Sequence, residues 1–257
     1  MKNNIAQQRI WIVGASQGIG LELVKIWLKQ GHQVLASARQ AQQSSALAEL
    51  KQQHGERLQC LNIDVSDAQD CALQAQRAWG VFAGLDLWFY NVGAYQPMTS
   101  EEWDWSAFVQ MNQSNYLGAV ALMLPLQKLF KAQGHGRWIW NASLAAYFGL
   151  PYGGGYSAPK AALVNLAEAL QPELAVQNID LQIINHGFVR TRLTEKNEFV
   201  MPGLLEPIEA AQQIAHALDR STAFEIRFPW RLRIVLSLFR WMPYSWSLAL
   251  TRKMLRS

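Results

Sequence analysis

The sequence predicts an α/β protein of one domain, built on a doubly wound parallel β-sheet with helices on both faces. Two observations predict it. Short apolar and β-branched runs alternate with longer amphipathic stretches from residue 9 onward, the rhythm of βαβ units. The first run also passes into the first amphipathic stretch through a glycine-rich turn, Gly14-Ala15-Ser16-Gln17-Gly18-Ile19-Gly20. A chain of 257 residues, half of them apolar, can bury one sizeable core, and no internal repeat or low-complexity linker divides it.

Taken in order, residues 9–13 read as a buried strand closed by Gly14, residues 19–30 as a helix, 34–38 as a second strand and 46–53 as a second helix. Residues 58–63 are a third strand, 68–79 a helix and 85–90 a buried strand. A long helical region runs over about 108–133, followed by an apolar strand at 137–142, a helix at 157–176 and a strand at 180–185. Gln-rich patches at 40–45 and 74–76 read as solvated loop or helix surface.

Composition narrows the function. No charged leader precedes a long apolar stretch and a cleavage site, since the first apolar run, from Ile10 to Val13, ends at Gly14; a cytoplasmic location is expected. Cys60 and Cys71 share no metal-ligand spacing and have no His or Cys nearby, so neither a disulfide nor a metal site is expected. The net charge of +4 is unevenly spread: residues 224–257 hold six Arg and one Lys against Glu225 alone, which leaves the rest slightly acidic. That body lacks the basic surface and reading element that nucleic-acid binding needs.

The glycine turn sits where a strand meets a helix, and the physics of phosphate binding asks for that arrangement. Glycines let the chain turn sharply and bring backbone N–H groups close to a pyrophosphate, while the helix N-terminus offers unpaired donors and a favourable dipole. Taken alone, the string would also serve as a tight turn without a ligand; the G-x-x-x-G-x-G spacing points to a dinucleotide. The second strand ends Ala36-Ser37-Ala38-Arg39, with no carboxylate for ribose hydroxyls and one Arg suited to a 2′-phosphate. This favours NADP(H), the other reading of Arg39 being an ordinary surface charge.

Tyr156-Ser157-Ala158-Pro159-Lys160 opens a helix, and a separation of four puts phenol and ammonium on one face, a turn apart. A free Tyr titrates near about 10, and an adjacent fixed cation lowers that value, which suits Tyr156 to proton transfer with a substrate oxygen. Ser143 ends the strand before it, at the strand C-terminus that faces a ligand crevice, where its hydroxyl can orient a carbonyl.

With the glycine turn, Asp64-Val65, Asn91-Val92-Gly93, Ser143, Tyr156/Lys160 and His186-Gly187 followed by Thr191, the sequence resembles the short-chain dehydrogenase/reductase family from about residue 9 to about residue 194. The resemblance implies a Rossmann-type sheet of about seven strands in the order 3-2-1-4-5-6-7. It also implies cofactor contacts from Gly14, Ser16, Gln17, Gly18, Ile19, Gly20, Arg39, Asp64, Val65, Asn91, Gly93, Tyr156, Lys160, Val189 and Thr191. The family's fourth catalytic residue is an Asn in the long helix. Asn112 and Asn115 are both candidates, and Asn115 fits better, 24 residues after Asn91 and 28 before Ser143. The mechanism that the family implies has Tyr156 protonate a substrate carbonyl while hydride arrives from the nicotinamide. Ser143 would hydrogen-bond that oxygen, Lys160 would hold the nicotinamide ribose and depress the Tyr156 pKa, and Asn115 would hold a water relaying protons to Lys160. Three residues depart from the family pattern. Val13 and Tyr90 stand where side chains that brace the cofactor turns are usual, and His186 stands where Pro is usual. His186 reads either as a replacement for a rigid turn residue or as a group beside the nicotinamide carboxamide.

After Thr191, residues 192–205 are the candidate substrate lid, with Pro202 and Gly203 as hinge positions, or else a plain surface loop. The domain proper is taken as 1–223. Residues 224–257 form a helical extension in which Trp, Leu and Phe mix with Arg, too broken by Arg240 and Pro243 to span a membrane. Three uses stay open for it: packing on the body over the cleft, packing on a partner subunit, or lying at a membrane interface. The function expected is carbonyl–alcohol interconversion on an apolar small molecule by a homo-oligomer, dimeric or tetrameric. A non-catalytic NADP(H) sensor and a membrane-peripheral scaffold are the alternatives.

Overall fold

The structure, a computed structural model, describes residues 6–196, 199 and 201–255. Its seven strands are β1 Arg9–Val13, β2 Gln33–Ala38, β3 Leu58–Asn62, β4 Leu87–Tyr90, β5 Gly136–Asn141, β6 Ile179–His186 and β7 Glu225–Phe228. They form one parallel sheet in the order β3-β2-β1-β4-β5-β6-β7, as the resemblance implied. The nine α-helices of the described residues are α1 Gly18–Lys29, α2 Ser45–His54, α3 Ala68–Val81, α4 Trp105–Asn112, α5 Gly118–Gln133, α6 Gly154–Ala175, α7 Pro207–Arg220, α8 Trp230–Trp241 and α9 Tyr244–Arg252.

Strand alternation explains the two cores. On β1, Ile10 and Ile12 face α1 and α7, joining Leu23, Val24, Leu28, Ile214 and Leu218. Trp11 and Val13 face the other way, with Trp88, Trp138, Phe130 and Leu163. Trp88 pairs in register with Trp138 across β4 and β5, their rings edge to face with centroids 5.3 Å apart. Both faces are therefore covered, as a parallel sheet requires.

The long helical region expected at 108–133 begins earlier and is interrupted: α4 passes into a π-helical turn at Gln113–Leu117 before α5. Strand β4 starts later than expected, at Leu87, and the Asp86 carboxylate just before it accepts from Arg9 Nε at 3.0 Å and from the Arg9 backbone N–H at 2.8 Å. The segment 224–257 opens with β7, paired to β6 from Ile183↔Glu225 to His186↔Phe228, so its first residues belong to the sheet and only α8 and α9 lie beyond it. Helix α7, absent from the periodicity reading, carries Pro207 at its start and a Glu209 carboxylate that accepts from the Glu206 N–H at 2.8 Å.

Candidate active site

The sheet order reverses between β1 and β4, and a crevice opens beyond the strand ends there. It holds a cleft of about 1400 Å³, larger than most small-molecule sites. Its floor is the β1–α1 turn. Gly14 has φ +92° and Gly18 φ +57°, and the N–H groups of Gly14 and Ala15 both donate to the Ser37 carbonyl at 2.7 and 3.0 Å. A Cβ on Gly14 would come within 3.0 Å of the Asn91–Val92 backbone, and one on Gly20 would overlap the Gly14 carbonyl. The two glycines let this turn pack against the chain after β4.

Ser16, Gln17, Gly18 and Ile19 line the cleft, whereas Gly20 packs beneath the turn rather than on the wall. No side chain caps α1 and no acid sits in its first turn, so its leading N–H groups are available to an anion. Arg39 and Asp64 stand exposed at the rim. The Ser66 hydroxyl and N–H hold the Asp64 carboxyl below its usual range, and the Arg39 charge adds to the effect. Val65, Asn91, Gly93, Val189 and Thr191 complete this half of the wall. Glycine turn, free helix end and a rim Arg form a donor set that fits a nicotinamide dinucleotide.

The braces expected to be missing at Val13 and Tyr90 are supplied otherwise. The Asn91 amide donates to the Gly14 carbonyl at 2.8 Å and accepts from the Asn141 amide at 2.7 Å. Tyr90 is fully buried and its hydroxyl donates to the Ser114 carbonyl, in the π-helical turn, at 2.7 Å. Val13 packs in the core.

On the other half of the cleft, Ser143, Tyr156 and Lys160 converge. Lys160 is 3 % exposed, donates to the Asn141 carbonyl at 2.7 Å and lies 5.9 Å from the centre of the Tyr156 ring. Tyr156 is partly open to the cleft, its ring edge-on to Tyr95. Burial lifts its phenol to about 12, against a lowering hydrogen bond from Ser143. Burial also lowers the Lys160 ammonium to about 7. Desolvation is the largest influence on both groups, and on Tyr156 it acts against the lowering expected of the phenol.

Asn115 is fully buried in the π-helical turn, and its amide spans Ala94, accepting from the N–H at 3.2 Å and donating to the carbonyl at 2.7 Å. It stands behind the cleft wall, while Asn112 turns to the Phe108 carbonyl of its own helix. His186 lines the cleft, neutral because burial lowers it to about 4, with Nδ1 donating to the Gly187 carbonyl at 2.7 Å.

Sequence reasoning missed the residues that hold Ser143. Its N–H donates to the Asn185 amide oxygen at 3.1 Å, and the Asn185 amide donates to the Glu225 carboxylate at 2.7 Å. Glu225 also accepts from the Tyr147 hydroxyl and pairs with Arg227 at 3.3 Å. The available signal was polarity inside apolar strands, at Asn141 and Asn185.

The outer cleft is largely apolar, with Met98, Leu144, Leu150, Phe188, Leu232 and Leu236 among its walls. Of the expected lid, Leu193, the short turn Thr194–Lys196 and Phe199 border the cleft, and Lys196 donates to the Tyr95 carbonyl at 2.9 Å. Gly203 has φ +67°, and Asn197, Glu198 and Val200 lie outside the described residues.

A family model described as short chain dehydrogenase matches residues 8–199. An uncharacterized oxidoreductase of Myxococcus xanthus is 31% identical over 234 residues, covering 90% of this chain and 91% of its own. A short chain dehydrogenase of Burkholderia cenocepacia, solved in complex with NADP, superposes with a TM-score of 0.81 at 23% identity, over 98% of each chain. An alcohol dehydrogenase of Thermococcus sibiricus, complexed with 5-hydroxy-NADP, gives 0.77 at 24% identity over 86% of this chain and 96% of its own. With the family model covering most of the chain and the sheet order in agreement, the protein belongs to the short-chain dehydrogenase/reductase family of oxidoreductases.

Proposed function

We propose that this protein is an NADP(H)-dependent oxidoreductase that interconverts a carbonyl and an alcohol on an apolar small molecule and works as a homo-oligomer. The observation that carries the reading is the meeting of Ser143, Tyr156 and Lys160 in one cleft with the glycine turn. Arg39 at the rim, with no acid at the end of β2, supports the phosphorylated cofactor, and two related folds were solved with NADP-type ligands. When bound, the cofactor supplies or accepts the hydride.

The protein's own groups manage the substrate oxygen. A phenol held at about 12 is protonated at neutral pH, so Tyr156 is ready to donate its proton to a carbonyl oxygen in the reductive direction. The Ser143 hydroxyl donates a hydrogen bond to the same oxygen, from a backbone fixed by Asn185. Lys160, when charged, stabilises the phenolate left behind and offers its remaining donors to the nicotinamide ribose. The Asn115 amide bonds to both the N–H and the carbonyl of Ala94, which fixes the 91–94 turn beside the cleft. Apolar walls and the inner face of α8 select an apolar substrate.

The test is oxidation of NADPH and NADH, side by side, across a panel of ketones and aldehydes, with Tyr156→Phe in parallel. NADPH should be preferred, and the variant should lose about 10²- to 10⁴-fold in kcat with cofactor affinity retained. A Tyr156→Phe enzyme turning over an accepted substrate at the wild-type rate would remove Tyr156 from the mechanism.

A further inference from the structure

Helix α8 has two apolar faces. Leu232, Leu236 and Phe239 point inward, packing with Leu144, Phe148 and Leu150. Trp230, Ile234, Leu238 and Trp241 follow one another at helical spacing on the opposite side, and they are 61, 43, 56 and 84 % exposed. Helix α9 and the turn after it extend this surface: Tyr244, Trp246, Leu248, Met254 and Leu255 are exposed, while Ser247 and Thr251 are the residues α9 buries. A helix facing water alone places its large apolar side chains the other way round. An outward apolar surface of this kind marks a contact with something else.

Charge identifies that partner. Arg231, Arg233, Arg240, Arg252 and Lys253 are interleaved with these apolar residues, and from residue 226 onward the sequence has no Asp or Glu. Glu225, just before, is engaged by Tyr147, Asn185 and Arg227. The Arg231 guanidinium lies 5.3 Å from the centre of the Trp230 ring, so a cation and an indole leave the surface together. A second copy seated on this face about a two-fold axis would bring the same arginines together with no acid to meet them. A bilayer with acidic headgroups answers both features, taking the tryptophans and leucines at its boundary and the arginines at its phosphates.

We propose that α8 and α9 dock this protein on an anionic phospholipid surface, lying in the interface plane. No helix among the described residues is long and apolar enough to cross a membrane, so the contact is peripheral.

The experiment is sedimentation of the purified full chain with vesicles of phosphatidylcholine alone or mixed with phosphatidylglycerol, at low and high salt, with light scattering in parallel. The protein should pellet with the anionic vesicles and be released as salt rises. Trp230→Ser/Trp241→Ser and Arg231→Gln/Arg240→Gln alter exposed positions on two different principles. Each pair should cut vesicle partitioning on the order of tenfold or more at an unchanged circular dichroism spectrum. Wild-type protein left in the supernatant at low salt overturns the proposal. So does equal pelleting of wild type and the arginine pair, or a tryptophan pair that disperses an oligomer without changing vesicle binding, which would assign the face to a second copy.

Discussion

Lys160 brings its amine to a position 3 % exposed, with the Asn141 carbonyl accepting at 2.7 Å, and burial lowers its pKa from 10.5 to about 7. The consequence for stability has a definite sign. Between about pH 7 and pH 10.5 the unfolded chain binds the proton that the folded chain has released, so stability rises with pH through that window. Below about 7 both states carry the proton and the full penalty of burying the charge is present; above 10.5 neither does and it is gone. Lys160→Met removes the titrating group at similar length. The difference in unfolding free energy between variant and wild type, measured by urea denaturation, should therefore shift in the variant's favour as pH falls from 10.5 to 7. Whatever constant offset comes from leaving the Asn141 carbonyl without its donor does not change that slope. Parallel pH profiles for the two proteins would show that the amine keeps its ordinary pKa in the folded state.

At the scale of elements, the β1–α1 turn was readable because its chemistry is local: glycines at fixed spacing between a strand and a helix leave few other uses for the string. The π-helical turn at Gln113–Leu117 was not, since its apolar pattern continues those of α4 and α5 and nothing in the string marks the wider turn that places Asn115 behind Ala94. The Ser143–Asn185–Glu225 chain was hidden for another reason. Its members lie about 40 residues apart, and only the pairing of β5, β6 and β7 brings them together. The turn's legibility can be tested at Gly20, whose added Cβ would overlap the Gly14 carbonyl and come within 2.8 Å of the Asn91 amide nitrogen, the brace itself. Gly20→Ala should cost about 1–3 kcal/mol in unfolding free energy and weaken NADPH binding in a fluorescence titration. Gly80→Ala is the control: it lies within α3, its Cβ would meet nothing within 4 Å, and it should be neutral or slightly stabilising. Wild-type stability and nucleotide affinity in Gly20→Ala would mean that the turn has slack the packing does not show.

The whole molecule is a sheet with its ligand crevice at one end and a two-faced helical pair beside that crevice. The sheet was legible, since apolar alternation and the family resemblance agree on it. The direction of the tail was not, because Trp, Leu and Arg spaced along a helix serve a cleft wall, a subunit contact or a lipid surface equally well until something shows which side faces the body. The structure settles the inner side: Leu236 and Phe239 are buried over Leu144 and Leu150, and Leu232 and Leu236 reach the cleft. Ending the chain after Pro229 keeps β7 and Glu225, hence the support of Ser143, while removing both helices. Helix α8 packs on Leu144, Phe148, Leu150 and the end of β7 rather than on the glycine turn, so the shortened protein should fold and bind NADPH within about twofold of the full chain, judged by the absence of lost cofactor contacts. Losing the burial of Leu236, Phe239 and their partners should lower stability by a few kcal/mol, on the order of 2 for each large side chain. For an apolar ketone, KM should rise more than kcat falls, because the missing wall supplies binding rather than chemistry. Steady-state kinetics and urea denaturation on the two chains read both effects. An unchanged KM would take α8 out of the substrate site, and a collapse of kcat at normal NADPH affinity would place it in the machinery around Ser143 and Tyr156.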